Sequence, residues 1–262
     1  ISTRGELIAG RNGTTKRLFD LSTVEFEYTP LITLRKTAWK KAIREMEWFL
    51  SGNPRCPDEL LDWWQEQLSS DGRYYGGYGD QLRNFYGDDE FFDQISDLID
   101  GIKSHPFSRR HVITTWNPVE MANITELNDN PKTPTTCHTT IAQFFVSPPG
   151  LLSLRSYQRS ADMLLGVPHN WIQSWALLLW VAEQTNTVPH KMLWTFGDAH
   201  IYQEPSHLET VDKILSINCD SKPCRPIRLC YTGKPDSEFK ASDFEIVGEI
   251  PLPVVVTKPK LL

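Results

Sequence analysis

Two stretches of the 262-residue chain carry side chains able to do chemistry: Cys137-His138, and the run Gln158-Arg-Ser-Ala-Asp-Met-Leu-Leu-Gly-Val-Pro-His-Asn170. A cysteine beside a histidine suggests a hydrolytic pair. Neighbours on a strand point to opposite faces, however, so His138 is poorly placed to be the base. A guanidinium can stabilise a thiolate instead, and Arg159, on the neighbouring predicted strand, is a candidate. A thiolate held this way suits conjugate addition to an electron-poor ring, where no leaving group is needed. On its own, Cys137 reads equally as a buried structural thiol. Glu45, among apolar residues, is either a rim carboxylate reaching solvent or one of raised pKa that moves protons. Arg11-Asn-Gly-Thr-Thr-Lys16 is a turn-rich loop that is either solvated or offers N–H groups and an arginine to a phosphate.

The elements that must hold these groups follow from periodicity. Residues 37–50 read as a helix with a stripe of Ala38, Ala42, Ile43, Met46, Phe49 and Leu50, ended by Ser51-Gly52. Residues 57–68 read as a second helix bearing Trp63 and Trp64, and 74–83 as an aromatic, glycine-rich loop entering a new element. An amphipathic helix is expected at 88–104, burying Phe91, Phe92, Ile95, Leu98, Ile99 and Ile102. Strands are expected at 18–28, 108–116, 137–146, 151–159 and 191–201, and helices at 169–187 and 202–217. Ser147-Pro-Pro-Gly150 is a turn between two of the strands. Helices and strands alternate without a regular βαβ rhythm, which favours a single α+β domain spanning residues 1–262.

Bulk composition narrows the partners. With 40% hydrophobic and 23% charged residues the chain can bury a core, and its net charge of -6 argues against a nucleic-acid polymer as partner. A small anion held in a local basic pocket remains compatible. No apolar run reaches the roughly 18–20 residues of a membrane span, and no secretory signal is evident at the start. Five cysteines, an odd number, point to reduced thiols and a cytoplasmic setting. Cys219, Cys224 and Cys230 fit no zinc spacing, so they are expected to be structural and no metal is expected.

Read in order, the motifs gain specificity. Arg11, Arg44-Glu-Met-Glu-Trp-Phe-Leu50, Tyr78-Gly-x-Gln-x-Arg83, Ser108-Arg-Arg110, Cys137-His138, Gln158-Arg-Ser-x-Asp162, Gly166-x-Pro-x-Asn170 and Gly197-Asp-x-His-x-Tyr202 follow one another. Together they resemble the thymidylate synthase and deoxynucleotide hydroxymethylase superfamily over nearly the whole chain. The resemblance implies a large mixed or antiparallel sheet packed by helices, and a homodimer. It implies that Cys137 adds to carbon 6 of a pyrimidine nucleotide, and that Arg11, Arg159 and Ser160, beside Gln158, hold the phosphate with Arg109 and Arg110 from the other subunit. Asn170 would pair with the ring imide, His200 and Tyr202 with the deoxyribose hydroxyl, and Glu45 with Tyr78 would move protons. Asp162, Trp64, Gly166 and Glu45 would border the co-substrate, 5,10-methylenetetrahydrofolate.

A neutral amide at Asn170 offers one donor and one acceptor, matching the carbon 4 oxygen and ring N–H of uracil. Cytosine presents the reverse pattern, and a mismatch leaves buried polar groups unpaired at about 1–3 kcal/mol. This selects dUMP over dCMP, with His169 beside Asn170 as an unusual neighbour. The product turns on whether water or hydride meets the activated carbon, and so on the lid. Asp243-Phe-Glu-Ile-Val-Gly248 resembles the approach to the synthase tail, but Pro251-Leu-Pro253 and the residues to Leu262 depart from it. Thr136 replaces a proline, the helix after Asn170 reads one residue longer, and only Trp64 matches the paired tryptophans. Trp64-Gln-x-x-x-Ser-Ser-x-Gly72, Arg44-Glu-x-Glu-Trp48 and Cys137-His-Thr-Thr140 are similar to phage deoxycytidylate hydroxymethylase. The expectation is therefore a phage-type dUMP hydroxymethylase in host cytoplasm, with thymidylate synthase as the alternative and dCMP hydroxymethylase behind both.

Overall fold

The alternation read in the middle of the chain becomes the centre of a seven-stranded sheet. The computed structural model describes residues 1–86, 91–217 and 227–250, with Pro253 and Val255. In chain order the strands are β1 (Glu6–Gly10), β2 (Gly13–Leu18), β3 (Val24–Phe26), β4 (Phe85–Tyr86), β5 (Phe91–Phe92), β6 (Val112–Thr114), β7 (Ile141–Ser147), β8 (Leu151–Asp162), β9 (Val188–Tyr202), β10 (Arg228–Tyr231) and β11 (Phe244–Val247). The helices are α1 (Trp39–Ser51), α2 (Leu61–Trp64), α3 (Tyr78–Arg83), α4 (Gln94–Ser104), α5 (Pro118–Leu127), α6 (Gly166–Gln184) and α7 (Pro205–Leu215).

The main sheet runs β1-β2-β9-β8-β7-β6, with β3 also on β9. Only β8 and β9 are parallel, and α6 is the crossover that such a pair requires. The other pairs are antiparallel, so the sheet is mixed and the chain is an α+β fold. Helix α6 is buried nearly all round, as its apolar composition demands. It packs on β8, β9 and α1. Leu152, Leu154, Met192 and Trp194 beneath it are essentially inaccessible, each worth roughly 1.5–3 kcal/mol of burial. Strand β7 leaves Ile141 and Phe145 exposed, as β6 does Val112. An apolar patch is thus left uncovered on the sheet.

Several expected boundaries move, each for a local reason. The strand expected at 18–28 shrinks to β3, because β2 already ends at Leu18 after a hairpin at Arg11-Asn12. The helix expected at 57–68 becomes a 3-10 turn, Asp58–Leu60, followed by the single turn of α2. Helix α4 starts six residues later than expected, because the Asp93 carboxylate accepts from the N–H groups of Ile95 and Ser96 and caps it there. Phe91 and Phe92 consequently lie on β5 and are exposed rather than packed. Helix α5, capped by Asn117 with Pro118 in its first turn, was not expected at all. Helix α6 begins at Gly166, three residues early, and carries Asn170 into its second turn. The turn at Ser147-Pro-Pro-Gly150 joins β7 to β8 as expected. Cys219, Cys224, the start of the 88–104 helix and most of the tail after Gly248 fall outside the described residues.

Candidate active site

Cys137 does not sit on a strand. It precedes β7 in an irregular segment where Thr139 takes a left-handed φ of 52°, a conformation a branched residue adopts only when its surroundings enforce it. The Cys137 backbone is fixed from two sides. Its N–H donates to the Tyr78 hydroxyl at 2.7 Å, and its carbonyl accepts from the Arg159 N–H at 2.8 Å. The Sγ lies 3.8 Å from Arg159 Nη2. Burial raises the Cys137 thiol, and the Arg159 and Arg11 guanidiniums pull it back down.

Arg159 is itself locked. Its Nη2 donates to Thr135 Oγ1 at 2.6 Å and to the Thr136 carbonyl at 3.1 Å, and its guanidinium lies 5.0 Å from the Trp116 ring centre. Gly197 permits this placement. A Cβ there would stand 2.6 Å from the Arg159 carbonyl and 2.7 Å from the Tyr157 hydroxyl, closer than any side chain can sit.

His138 is buried against Tyr78, ring centres 4.6 Å apart, and burial lowers its pKa to about 3. It is a neutral wall. Tyr78 is likewise held un-ionised by burial, leaving its O–H able to donate.

A continuous hydrogen-bond chain forms the floor. Trp194 Nε1 donates to Gln158 Oε1 at 2.9 Å, Gln158 Nε2 to Asn170 Oδ1 at 3.0 Å, and Asn170 Nδ2 to Gln173 Oε1 at 3.2 Å. Gln173 Nε2 then donates to Glu45 Oε2 and, at 3.0 Å, to the Ala42 carbonyl. From the other side Trp64 Nε1 donates to Glu45 Oε1. Burial raises Glu45 to about 7, against the opposing pull of the Trp64 and Gln173 hydrogen bonds and the Lys41 charge. Of the two readings open for Glu45, the buried carboxyl of raised pKa is the one that fits.

These groups share a cavity of about 450 Å³. Its wall includes Arg11, Glu45, Trp64, Tyr78, Cys137, Gln158, Arg159, Ser160, Asp162, Gly166, Asn170, His200 and Tyr202. Arg11 stands at the β1–β2 turn, donating to the Pro131 carbonyl at 3.3 Å. His200 and Tyr202 end β9 with rings edge to face, centres 5.4 Å apart. Asp162 Oδ1 accepts from the N–H groups of Leu164 and Leu165 and so directs the chain into α6. Arg109 and Arg110 are exposed on the loop before β6, and Arg110 borders a different cavity of about 640 Å³. They do not line the Cys137 cavity of their own chain.

His169 borders the same cavity, but both its ring nitrogens are engaged by backbone groups. Its Nδ1 pairs with the Leu165 carbonyl at 2.8 Å, and its Nε2 accepts from the Ala38 N–H at 3.3 Å. Burial lowers it to about 4. The imidazole is a neutral pin between the starts of α1 and α6. Sequence reasoning missed Gln173, Trp194, Trp63 and Gln67. The signal for Gln173 was a polar residue three places after Asn170 in the most apolar helix, where a buried amide must have partners.

A half-buried thiol beside a guanidinium, a buried carboxyl raised to about 7 and a fixed amide edge meet at one cavity. The chain belongs to the thymidylate synthase family, whose model, "Thymidylate synthase", matches residues 1–258. It is therefore a one-carbon transferase of folate-dependent chemistry at carbon 5 of dUMP. No helix among the described residues is long and apolar enough to cross a membrane.

Proposed function

We propose that the protein transfers a one-carbon unit from methylenetetrahydrofolate to carbon 5 of dUMP and releases 5-hydroxymethyl-dUMP. The observation that carries the choice of base is the orientation of Asn170. Gln158 occupies its carbonyl side and Gln173 its amide side, so the amide meets a ligand with a settled donor and acceptor. That order pairs with uracil and opposes cytosine. His169, tied to two backbone groups, adds nothing to the edge.

In this reading the Cys137 thiolate adds to carbon 6 of the ring, and the electron pair moves to an enolate at carbon 5. Arg159 stabilises the thiolate, while Arg11, Arg159 and Ser160 bind the phosphate with Arg109 of the partner subunit and Arg110 of the partner subunit. Gln158 holds Asn170, and His200 and Tyr202 face the deoxyribose. Methylenetetrahydrofolate supplies a carbon at the oxidation level of formaldehyde. The cavity wall suits its pterin, with the flat apolar surfaces of Trp63, Trp64 and Leu165, the bare backbone of Gly166 and the acceptor carboxylate of Asp162. Once that carbon is on the ring, Glu45, with Tyr78, moves the carbon 5 proton away as the bond from that carbon to the folate nitrogen breaks and tetrahydrofolate leaves. Water adding to the resulting exocyclic methylene, as the Cys137 thiolate leaves carbon 6, gives the hydroxymethyl product. Hydride at the same carbon would give thymidylate and dihydrofolate.

Two features favour water. Trp64 spends its N–H on Glu45 and is buried among Trp48, Phe49 and Tyr74. Gln67, a polar amide, joins the wall on the same side. Dimerisation is supported by the uncovered Val112, Ile141 and Phe145 and by the loop carrying Arg109, held beside β7 through Gln143 Nε2 on the Arg109 carbonyl at 3.3 Å. Incubation with dUMP tritiated at carbon 5 tests the reading. Folate-dependent tritium release without dihydrofolate absorbance is expected; stoichiometric dihydrofolate would select the synthase, and no release would remove both.

A further inference from the structure

We propose that Gln173 is a positioning residue that joins base recognition to proton transfer, its carbonyl holding the donor edge of Asn170 while its amide N–H₂ holds Glu45. The inference rests on the reading of Asn170 and Glu45 given above and deepens it.

The supply of donors and acceptors dictates how these amides are ordered. An indole N–H can only donate, and the floor of the site is bounded by two of them, Trp194 at one end and Trp64 at the other. Gln158, Asn170 and Gln173 lie between, and each amide passes one acceptor and one donor along the line. With donors entering from both ends, one residue must accept twice. Glu45 is that residue, and its two oxygens take the two donors. Reversing any one amide would set donor against donor or acceptor against acceptor. Gln173 is the link whose two ends touch the two functional groups, and it is fully buried. A further bond to the Ala42 carbonyl fixes its direction independently, because a carbonyl cannot face the amide oxygen. Each Glu45 oxygen keeps one lone pair, where an exchanged proton must sit.

The other titratable groups around Glu45 are Lys41 on the same helix and Cys56 and Tyr74 from the segments packed against it. Cys137, His138 and Tyr78 face the shared cavity. None of these touches Asn170 through a hydrogen bond among the described residues, so Gln173 is the hydrogen-bonded link between Asn170 and Glu45.

Two variants of the full chain separate the functions. Gln173→Met keeps the volume but removes both bonds. We expect dUMP affinity, measured calorimetrically, to fall about tenfold, and the pH midpoint of tritium release to rise as Glu45 loses a donor to its charged form. Gln173→Glu restores an acceptor for Asn170 and sets a second carboxyl against Glu45. Affinity should return to within about threefold of wild type, while one pH midpoint splits into two, because adjacent carboxyls share a proton. A purely structural role would lower the thermal midpoint without producing this split. Wild-type protein that releases no tritium refutes the functional reading itself. Active wild type with unmoved pH midpoints in both variants, or affinity lost equally in both, overturns the role of Gln173. Failure of both variants to fold would make Gln173 a core requirement and overturn it as well.

Discussion

At the scale of single residues, burial sets the protonation states and hydrogen bonds settle what each group can then do. Cys137 and Arg159 are held by backbone contacts before any ligand is considered, which is the preorganisation that a nucleophile needs. Replacing Cys137 by Ala should lower tritium release by roughly 10³-fold or more and leave dUMP binding measurable by calorimetry. Full turnover by that variant would remove the covalent mechanism. The buried titratable groups also shape stability. Glu45, raised to about 7, contributes stability below about 4.5 that is lost as pH rises through 7. His138 and His169, lowered to about 3 and about 4, contribute stability above about 6.5 that is lost as pH falls toward those values. Two imidazoles oppose one carboxyl, and a tenfold change in the proton affinity of any of them is worth about 1.4 kcal/mol. The thermal midpoint should therefore fall as pH is lowered from 6.5 to 4, and a midpoint that rises over this range would contradict the assignment.

At the scale of elements, strong periodicity was readable and local capping was not. Helix α1 and its apolar face were evident from spacing alone, and Gly52, at a φ of 69°, ends it where expected. The start of α4 was misplaced because Phe91 and Phe92 continued the helical pattern, whereas the Asp93 carboxylate decides where the first turn begins. Asp93→Ala should cost about 1 kcal/mol, read as roughly 2–4 °C in thermal midpoint, with kcat unchanged because the cap is remote from the cavity. An unchanged midpoint would show that α4 does not depend on that cap. Cys137 and Asn170 stand out in the sequence as single residues, and both line the same cavity. Which end of an amide faces a neighbour was not legible. Gln158, Gln173 and Trp194 come together only when β8 and β9 pair in parallel under α6, and spacing in one chain does not reveal that register.

At the scale of the whole molecule, a chain of net charge -6 sets two arginines, Arg11 and Arg159, at one cavity, an arrangement that suits an anionic ligand. Arg109 and Arg110 stand outside that cavity in their own chain, so the proposed site is composite. Mixing two inactive proteins tests this. Cys137→Ala combined with Arg110→Ala, after subunit exchange, should recover about a quarter of wild-type activity, since half the dimers then hold one intact site. No recovery, with mixed dimers shown to form, would contradict the sharing of arginines across the interface.

The most direct measurement is the mass of the nucleotide formed when wild-type protein is incubated with dUMP, dCMP and methylenetetrahydrofolate together. The expected product is 5-hydroxymethyl-dUMP, with dCMP recovered unchanged and no dihydrofolate. A uracil nucleotide lighter by one oxygen, formed with an equal amount of dihydrofolate, would contradict the proposed product, and conversion of dCMP would contradict the orientation assigned to Asn170.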